Sequence, residues 1–242
     1  MLWPRGTLAG YDWLKAHGVY RQLAVTYVKG GWLERVARGA FKRAGDQVDW
    51  TGAVYALQTQ LGLSVHPAGK TALQMQGLSH YLPVGLASSY MFGSKDEKLP
   101  VWFKPFISTV IYTMTNLFGD EKTLGLSDHK IGDYSIKVSS PERAMFEICY
   151  DVPEKVSFEE ALQLMEGLTT LRPGVVQALL EKCHSVKTKR LFMYFAEEQG
   201  HAWLKKLNLS NVDFGSGKRS FVDGGLYNKK YQIVVPKKET AA

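Results

Sequence analysis

The chain has 242 residues, 45% of them hydrophobic, and a formal net charge of +7. That hydrophobic fraction excludes general disorder, and no apolar run reaches the roughly 18 residues that a membrane span needs. The start, MLWPRGTLAG, lacks the layout of a secretory signal, and the two cysteines, Cys149 and Cys183, make neither a disulfide framework nor a metal box, which reads as a cytoplasmic protein with reduced thiols.

The charge is concentrated at one end. Between Met1 and Arg43, eight basic residues against two acidic ones leave +6 of the chain's +7. A compact basic module on a nearly neutral body is the footprint of a polyanion binder, most often nucleic acid.

The elements of this module follow from spacing. Thr7 is read as the N-cap of a helix through LAGYDWLKAHG, with Leu8, Tyr11 and Leu14 on one face and Gly18 ending it. A second helix spans VYRQLAVTYVKGG and stops at Gly30 and Gly31. Tyr20, Leu23, Ala24 and Tyr27 gather on its inner side; Arg21, Gln22, Val25, Thr26 and Lys29 lie on the other. Two short helices joined by a tight glycine turn match a helix-turn-helix. Its second helix is the one that enters a major groove, with Arg and Gln suited to base edges and Thr and Lys to phosphate. WLERVARGAFKR then reads as a basic hairpin, a wing, turning at Arg38-Gly39. The expected DNA-binding set is Arg21, Gln22, Thr26 and Lys29 on the helix and Arg35, Arg38, Lys42 and Arg43 on the wing. The competing reading is a solvated face whose Arg and Lys stems cover Trp32 and Phe41. Helix periods, glycine stops and turn all agree with the interface. A winged helix-turn-helix usually has a further helix in front, and only Met1 to Pro4 precede this one. The expectation is that this helix is missing, truncated or supplied otherwise.

AGDQVDW, Ala44 to Trp50, is a polar connection. The expected domains are therefore 1–46, the winged helix-turn-helix, and 47–242, a larger α/β domain. Asp49 or Thr51 caps a helix carrying Val54, Leu57 and Leu61, and another lies near Lys70 to Ser79. Leu86 to Val138 looks β-rich, with FISTVIY and DYSIKV alternating and a polar loop from Gly119 to His129 between them. Four helices follow: from Ser140-Pro141 through Cys149, from the capping box at Ser157 to Gly167, from Pro173 through Cys183, and KTKRLFMYFAEEQG to Gly200. YQIVVP is a closing strand. The class is α/β in the wider sense, α+β, for the body.

Chemistry is sparse. PAGKTAL and FGSGKRSF have Ser64 and Val212 where a phosphate loop needs glycine, so neither is one. The histidines make no metal spacing, and no nucleophile motif is present. The pairs Glu159-Glu160 and Glu197-Glu198 read as solvated charge. No catalytic residue, metal or cofactor is expected. Lys187, Lys189, Arg190, Lys218 and Arg219 form a second basic set, either a further nucleic-acid surface or local solvation.

The segments YRQLAVTYVKGGWLERVARGAFKR, HPAGKTALQMQGLSHYLP, LPVWF, SPERAMFEICYDVP, LRPGVVQALLEKCHSVKTKRLFMYFAEEQGHAWL and GKRSFVDGGLYNKKYQIVVP together resemble the AbiEi family over about Gly18 to Pro236. These are antitoxins and transcriptional regulators of type IV, abortive-infection toxin–antitoxin systems. The resemblance implies an autorepressor whose N-terminal winged helix-turn-helix binds inverted repeats in double-stranded DNA of its own promoter. It also implies that residues 47–242 are the antitoxin domain. The implied functional partner is a nucleotidyltransferase-like toxin, not necessarily in direct contact, and no membrane is involved. The alternatives are a nucleic-acid-processing enzyme with a metal-dependent site in the larger domain, or a module that binds the toxin through its basic end.

Overall fold

The computed structural model describes residues 3–78 and 88–237. Its first elements are β1 (Ala9–Gly10), α1 (Tyr11–Ala16), α2 (Arg21–Lys29), β2 (Leu33–Ala37) and β3 (Ala40–Arg43). Next come α3 (Trp50–Gln60), β4 (His66–Pro67), α4 (Gly69–Met75), β5 (Ser89–Ser94), a 3-10 helix over Val101–Thr109, and β6 (Val110–Thr115). The hairpin β7 (Leu126–Ile131) and β8 (Tyr134–Ser139) precedes four helices, α5 (Pro141–Asp151), α6 (Phe158–Glu166), α7 (Pro173–Lys182) and α8 (Val186–Glu198). Strands β9 (Arg219–Ser220), β10 (Leu226–Asn228) and β11 (Ile233–Val235) close the chain. This is the α+β mixture expected.

Contacts divide the chain into two units. One comprises Met1–Pro67, Ala87–Thr115 and Ser127–Val138; the other comprises Ala68–Leu86, Asn116–Leu126 and Ser139–Ala242. Segment 1–46 lies wholly inside the first.

In the first unit, α1 and α2 end by the same device. Gly18 has φ +83° and Gly31 φ +72°, the left-handed conformation that glycine adopts without penalty. Val19 N–H donates to Leu14 O at 2.9 Å, and Trp32 N–H to Tyr27 O at 2.9 Å. These are the long bonds of a Schellman motif, which fill the last helical carbonyls. The start of α1 differs from expectation. The helix begins at Tyr11, because Ala9 and Gly10 are taken into the sheet as β1, paired with Phe41 and Ala40 of β3. The Thr7 hydroxyl donates to Pro4 O instead of capping.

The sheet has the order β1-β3-β2, with Glu34 opposite Lys42 and Arg35 opposite Phe41. Its inner face and the two helices bury Ala9, Leu14, Leu33 and Phe41. Each large apolar side chain so enclosed contributes about 1.5–3 kcal/mol. The wing turn is fixed by Tyr11 N–H, which donates to Gly39 O at 2.8 Å.

A third helix does pack on this module, and it comes from after the wing. Asp49 caps α3 by accepting from Thr51 and Gly52 N–H, as expected. Gln60, on its last turn, accepts from Gly10 N–H at 2.8 Å and donates to Leu8 O at 2.7 Å, sealing the open side of β1. At the other end of α3 a Cβ on Gly52 would lie 2.0 Å from Gly6 O, so only glycine allows this approach. Leu61, expected on the buried face, is the C-cap and 42% exposed.

The rest of the first unit is a sheet of order β4-β5-β6 and the β7-β8 hairpin. β5 and β6 run parallel, Ser89 opposite Val110 through Ser94 opposite Thr115. Two expectations fail here. Phe106 to Thr109 of FISTVIY belong to the 3-10 helix that makes the parallel crossover, and the strand starts only at Val110. The polar loop ends at Gly125, since Leu126 to His129 are already strand. The hairpin is tied to α3 by Gln58, which bonds the Lys137 carbonyl and amide, and by Tyr134 Oη at 2.7 Å from Thr51 Oγ1. Leu86 and Ser79, at the ends of two expected elements, lie outside the described residues.

The second unit is built on α5 and α8, where Phe146 stacks on Phe192 with centroids 4.1 Å apart. Glu147 is fully buried and accepts from Gly69 N–H, Ser139 Oγ and Arg143 Nε. Ser157 caps α6 through Glu160 N–H. The Glu160 side chain is not merely solvated: it pairs with Lys70 Nζ at 2.8 Å, and Glu197 pairs with Lys230. Both cysteines are buried. The closing sheet has the order β10-β11-β9.

Candidate nucleic-acid interface

Helix α2 is positioned by what it buries. Ala24 faces the core, with Leu23, Tyr27 and Val28 half-buried, which leaves Arg21, Gln22, Val25, Thr26 and Lys29 exposed along one stripe. No acidic residue sits in its first turn. The Thr26 hydroxyl folds back onto Gln22 O at 3.1 Å. Tyr20, expected inside, is the N-cap and 57% exposed.

Between α2 and the wing runs an open groove of about 690 Å³. Arg21 lines it from the helix, Arg35 and Arg38 from the wing, over a floor that includes Ala24, Val25 and Phe41. The lining contains no carboxylate. Among the described residues none of these three guanidiniums has an ion pair or a hydrogen bond. Arg35 lies 5.8 Å from the Phe41 ring centroid, as the cross-strand register allows. The sequence-predicted helix and wing residues are thus brought together at Arg21, Arg35 and Arg38.

Lys42 and Arg43 are employed differently. Lys42 Nζ lies 2.9 Å from Glu34 and donates to Asp46 O at 2.8 Å. A bond from Gly45 N–H, together with Lys42, holds the Glu34 carboxyl below its usual range, so Lys42 faces a fixed anion. Arg43 donates to Trp3 O and lies over the Trp3 ring at 5.2 Å. Both side chains are half-buried.

The second basic set does not hold together as a surface. Arg190 is 2% exposed, and its guanidinium donates to Phe214, Gly215 and Gly217 carbonyls. It is the internal brace of the FGSGK loop. Lys189 is likewise buried, and Lys187 lies over the Phe221 ring at 5.3 Å. Only Lys218 and Arg219 are exposed, Lys218 being 5.8 Å from the Tyr227 ring.

Sequence reasoning passed over two exposed apolar side chains beside α2. Val25 stands on the outer face without a role, and Trp32, at the start of the wing segment, is 74% exposed. The periodicity that puts Val25 between Arg21 and Lys29 was a usable signal.

Among the described residues no three His, Cys, Asp or Glu side chains are grouped as metal ligands, and no helix is long and apolar enough to cross a membrane.

The family model described as "Transcriptional regulator, AbiEi antitoxin N-terminal domain" matches residues 2–84. A second, described as "Transcriptional regulator, AbiEi antitoxin, Type IV TA system", matches residues 88–236. No curated protein matches the chain. Among solved structures it is similar to the RV2827C protein from Mycobacterium tuberculosis, with a TM-score of 0.58 at 14% identity over 94% of this chain and 86% of that one. At that identity the likeness speaks for the fold alone.

Proposed function

The chain belongs to the AbiEi antitoxin family of transcriptional regulators from type IV toxin–antitoxin systems, and from that footing we propose that it represses its own operon through segment 1–46. Helix α2 enters the major groove of double-stranded DNA, turning Arg21 and Gln22 toward base edges and Thr26 and Lys29 toward the strand beside them. The groove between α2 and the wing receives a sugar–phosphate strand, with Arg35 and Arg38 on its phosphates. Lys42 and Arg43, already held by Glu34 and Trp3, add positive field rather than direct contacts. The observation that carries this reading is the convergence of Arg21, Arg35 and Arg38, none with an ion pair or hydrogen bond among the described residues, on one groove whose lining holds no carboxylate. A planar guanidinium matches phosphate and guanine geometry, and an unpartnered one needs no bond broken before it binds.

The target is an inverted repeat in the operon's own promoter. Residues 47–242 supply the antitoxin function, against a nucleotidyltransferase-like toxin that need not be held in a stable complex. Lys218 and Arg219 are the part of the second basic set open to a polyanion.

The test is a gel shift on the DNA upstream of the gene, at two salt concentrations, with unrelated DNA as competitor. A shift that survives competitor and weakens steeply with salt is the expected result, since each phosphate neutralised releases counterions. Binding abolished by competitor refutes sequence-specific repression. Arg21→Ala or Gln22→Ala relaxes specificity by about 1–3 kcal/mol at one base pair.

A further inference from the structure

We propose that Val25 reads a thymine by its methyl group, a specificity contact that rests on the DNA-reading role of α2. At 3.6 residues per turn, Arg21 and Lys29 lie one turn before and one turn after Val25, each displaced by only about 40° around the axis. Val25 therefore lies between these two cations on the groove side of the exposed stripe. It is 41% exposed and is the sole aliphatic side chain among the exposed residues of α2, the others being Arg21, Gln22, Thr26 and Lys29.

The helix itself does not call for valine there. A β-branched side chain loses rotamer freedom in a helix, so alanine or a straight-chain residue is favoured at a solvated position. The core does not call for it either, since Ala24 and the half-buried Leu23, Tyr27 and Val28 fill the inner face. Val25 also lines the groove that holds Arg21, Arg35 and Arg38, at the edge where the helix surface passes from that groove to the outer stripe.

In a major groove the thymine C5-methyl is the apolar feature of a base edge, and an aliphatic side chain is its natural partner. With a cation one turn to each side, the γ-methyls of Val25 are held against the base edges. Gln22, on the same stripe, offers the amide that pairs bidentately with adenine. The step favoured under this stripe therefore contains thymine and adenine.

The experiment uses the full chain and a duplex covering its footprint on the DNA upstream of the gene. Each thymine is replaced in turn by deoxyuridine, which removes the methyl and nothing else. Wild type loses about fourfold in affinity at one thymine or one symmetry-related pair, the ratio equivalent to about 0.8 kcal/mol for one buried carbon. Val25→Ala binds the unmodified duplex about that much more weakly and loses nothing further at the same deoxyuridine. Val25→Ile, which keeps an aliphatic surface, retains the methyl dependence and controls for folding. An intact footprint with no methyl-sensitive thymine overturns the assignment alone, as does a Val25→Ala protein that keeps the full penalty. Loss of the footprint itself overturns the repressor reading, and this assignment with it.

Discussion

In the second unit Arg143, Arg172 and Arg190 each donate hydrogen bonds to acceptors supplied from within the fold. Arg143 bonds Glu147 and the carbonyls of Lys122 and Leu124, Arg172 clamps Glu142 by its backbone and two guanidinium nitrogens, and Arg190 braces three loop carbonyls. In the first unit Arg21, Arg35 and Arg38 have no such bonds among the described residues. The residue type is the same, and the difference lies in whether the fold supplies an acceptor. Arginine spacing or charge counts alone would not separate structural cations from those left for a ligand; acceptor supply does.

The sharpest way to break that comparison is Arg143→Ala. It removes one partner of the buried Arg143–Glu147 ion pair, and breaking such a pair from one side costs about 3–5 kcal/mol. Urea unfolding should show the loss, and an unchanged midpoint would remove Arg143 from the structural class.

The next effect concerns acids that do and do not receive an arginine. Burial alone would raise the Glu142 pKa, but Arg172 overrides it and brings it down to about 2. Asp151 is 5% exposed and pairs with Lys155 at 3.4 Å, and burial outweighs that pair and pushes its pKa up to about 6. A raised carboxyl binds its proton more tightly folded than unfolded. Its contribution is full below the unfolded value near 4 and is lost as pH rises through 6. Stability should therefore fall by about 2–3 kcal/mol across that window on account of Asp151. Asp151→Asn should flatten the fall in denaturant titrations at pH 4, 5, 6 and 7; a slope that persists would assign it to another group.

Arg38→Ala works in the opposite direction from Arg143→Ala. Stability should stay within about 0.5 kcal/mol, because no internal bond is lost. DNA affinity should drop on all sequences, and the salt slope should fall by about 1 for the missing phosphate contact. Smallest is Lys42→Ala, whose loss of affinity should be less than that of Arg38→Ala, since Glu34 already neutralises it. Equal losses would mean that the Glu34 pair opens on DNA.

Much of the first module was legible because its signals are local. Gly18, Gly31 and the Arg38-Gly39 turn each fix a chain reversal within a few residues, and the helix period of α2 separated the stripe from the core. β1 was not legible: two residues carry no period, and their partners Ala40 and Phe41 lie some thirty residues on. The Val101–Thr109 crossover was misread because its β-branched residues alternate like a strand, although Pro105 in its middle argued for a turn-like path. The pairing of Lys42 with Glu34 could have been read from the hairpin register, since a turn at Arg38-Gly39 sets the two opposite each other. The burial of Arg190 could not, because its acceptors sit more than twenty residues away in a glycine-rich loop.

Gly6 and Gly52 bring the start of the chain and α3 into backbone contact with no room for a side chain between them. Whoever excises the DNA-reading part as a fragment, or grafts it onto another protein, therefore has to carry the chain through Gln60. A cut after residue 46 would leave Leu8 and Gly10 with unmet backbone groups and β1 open on one side.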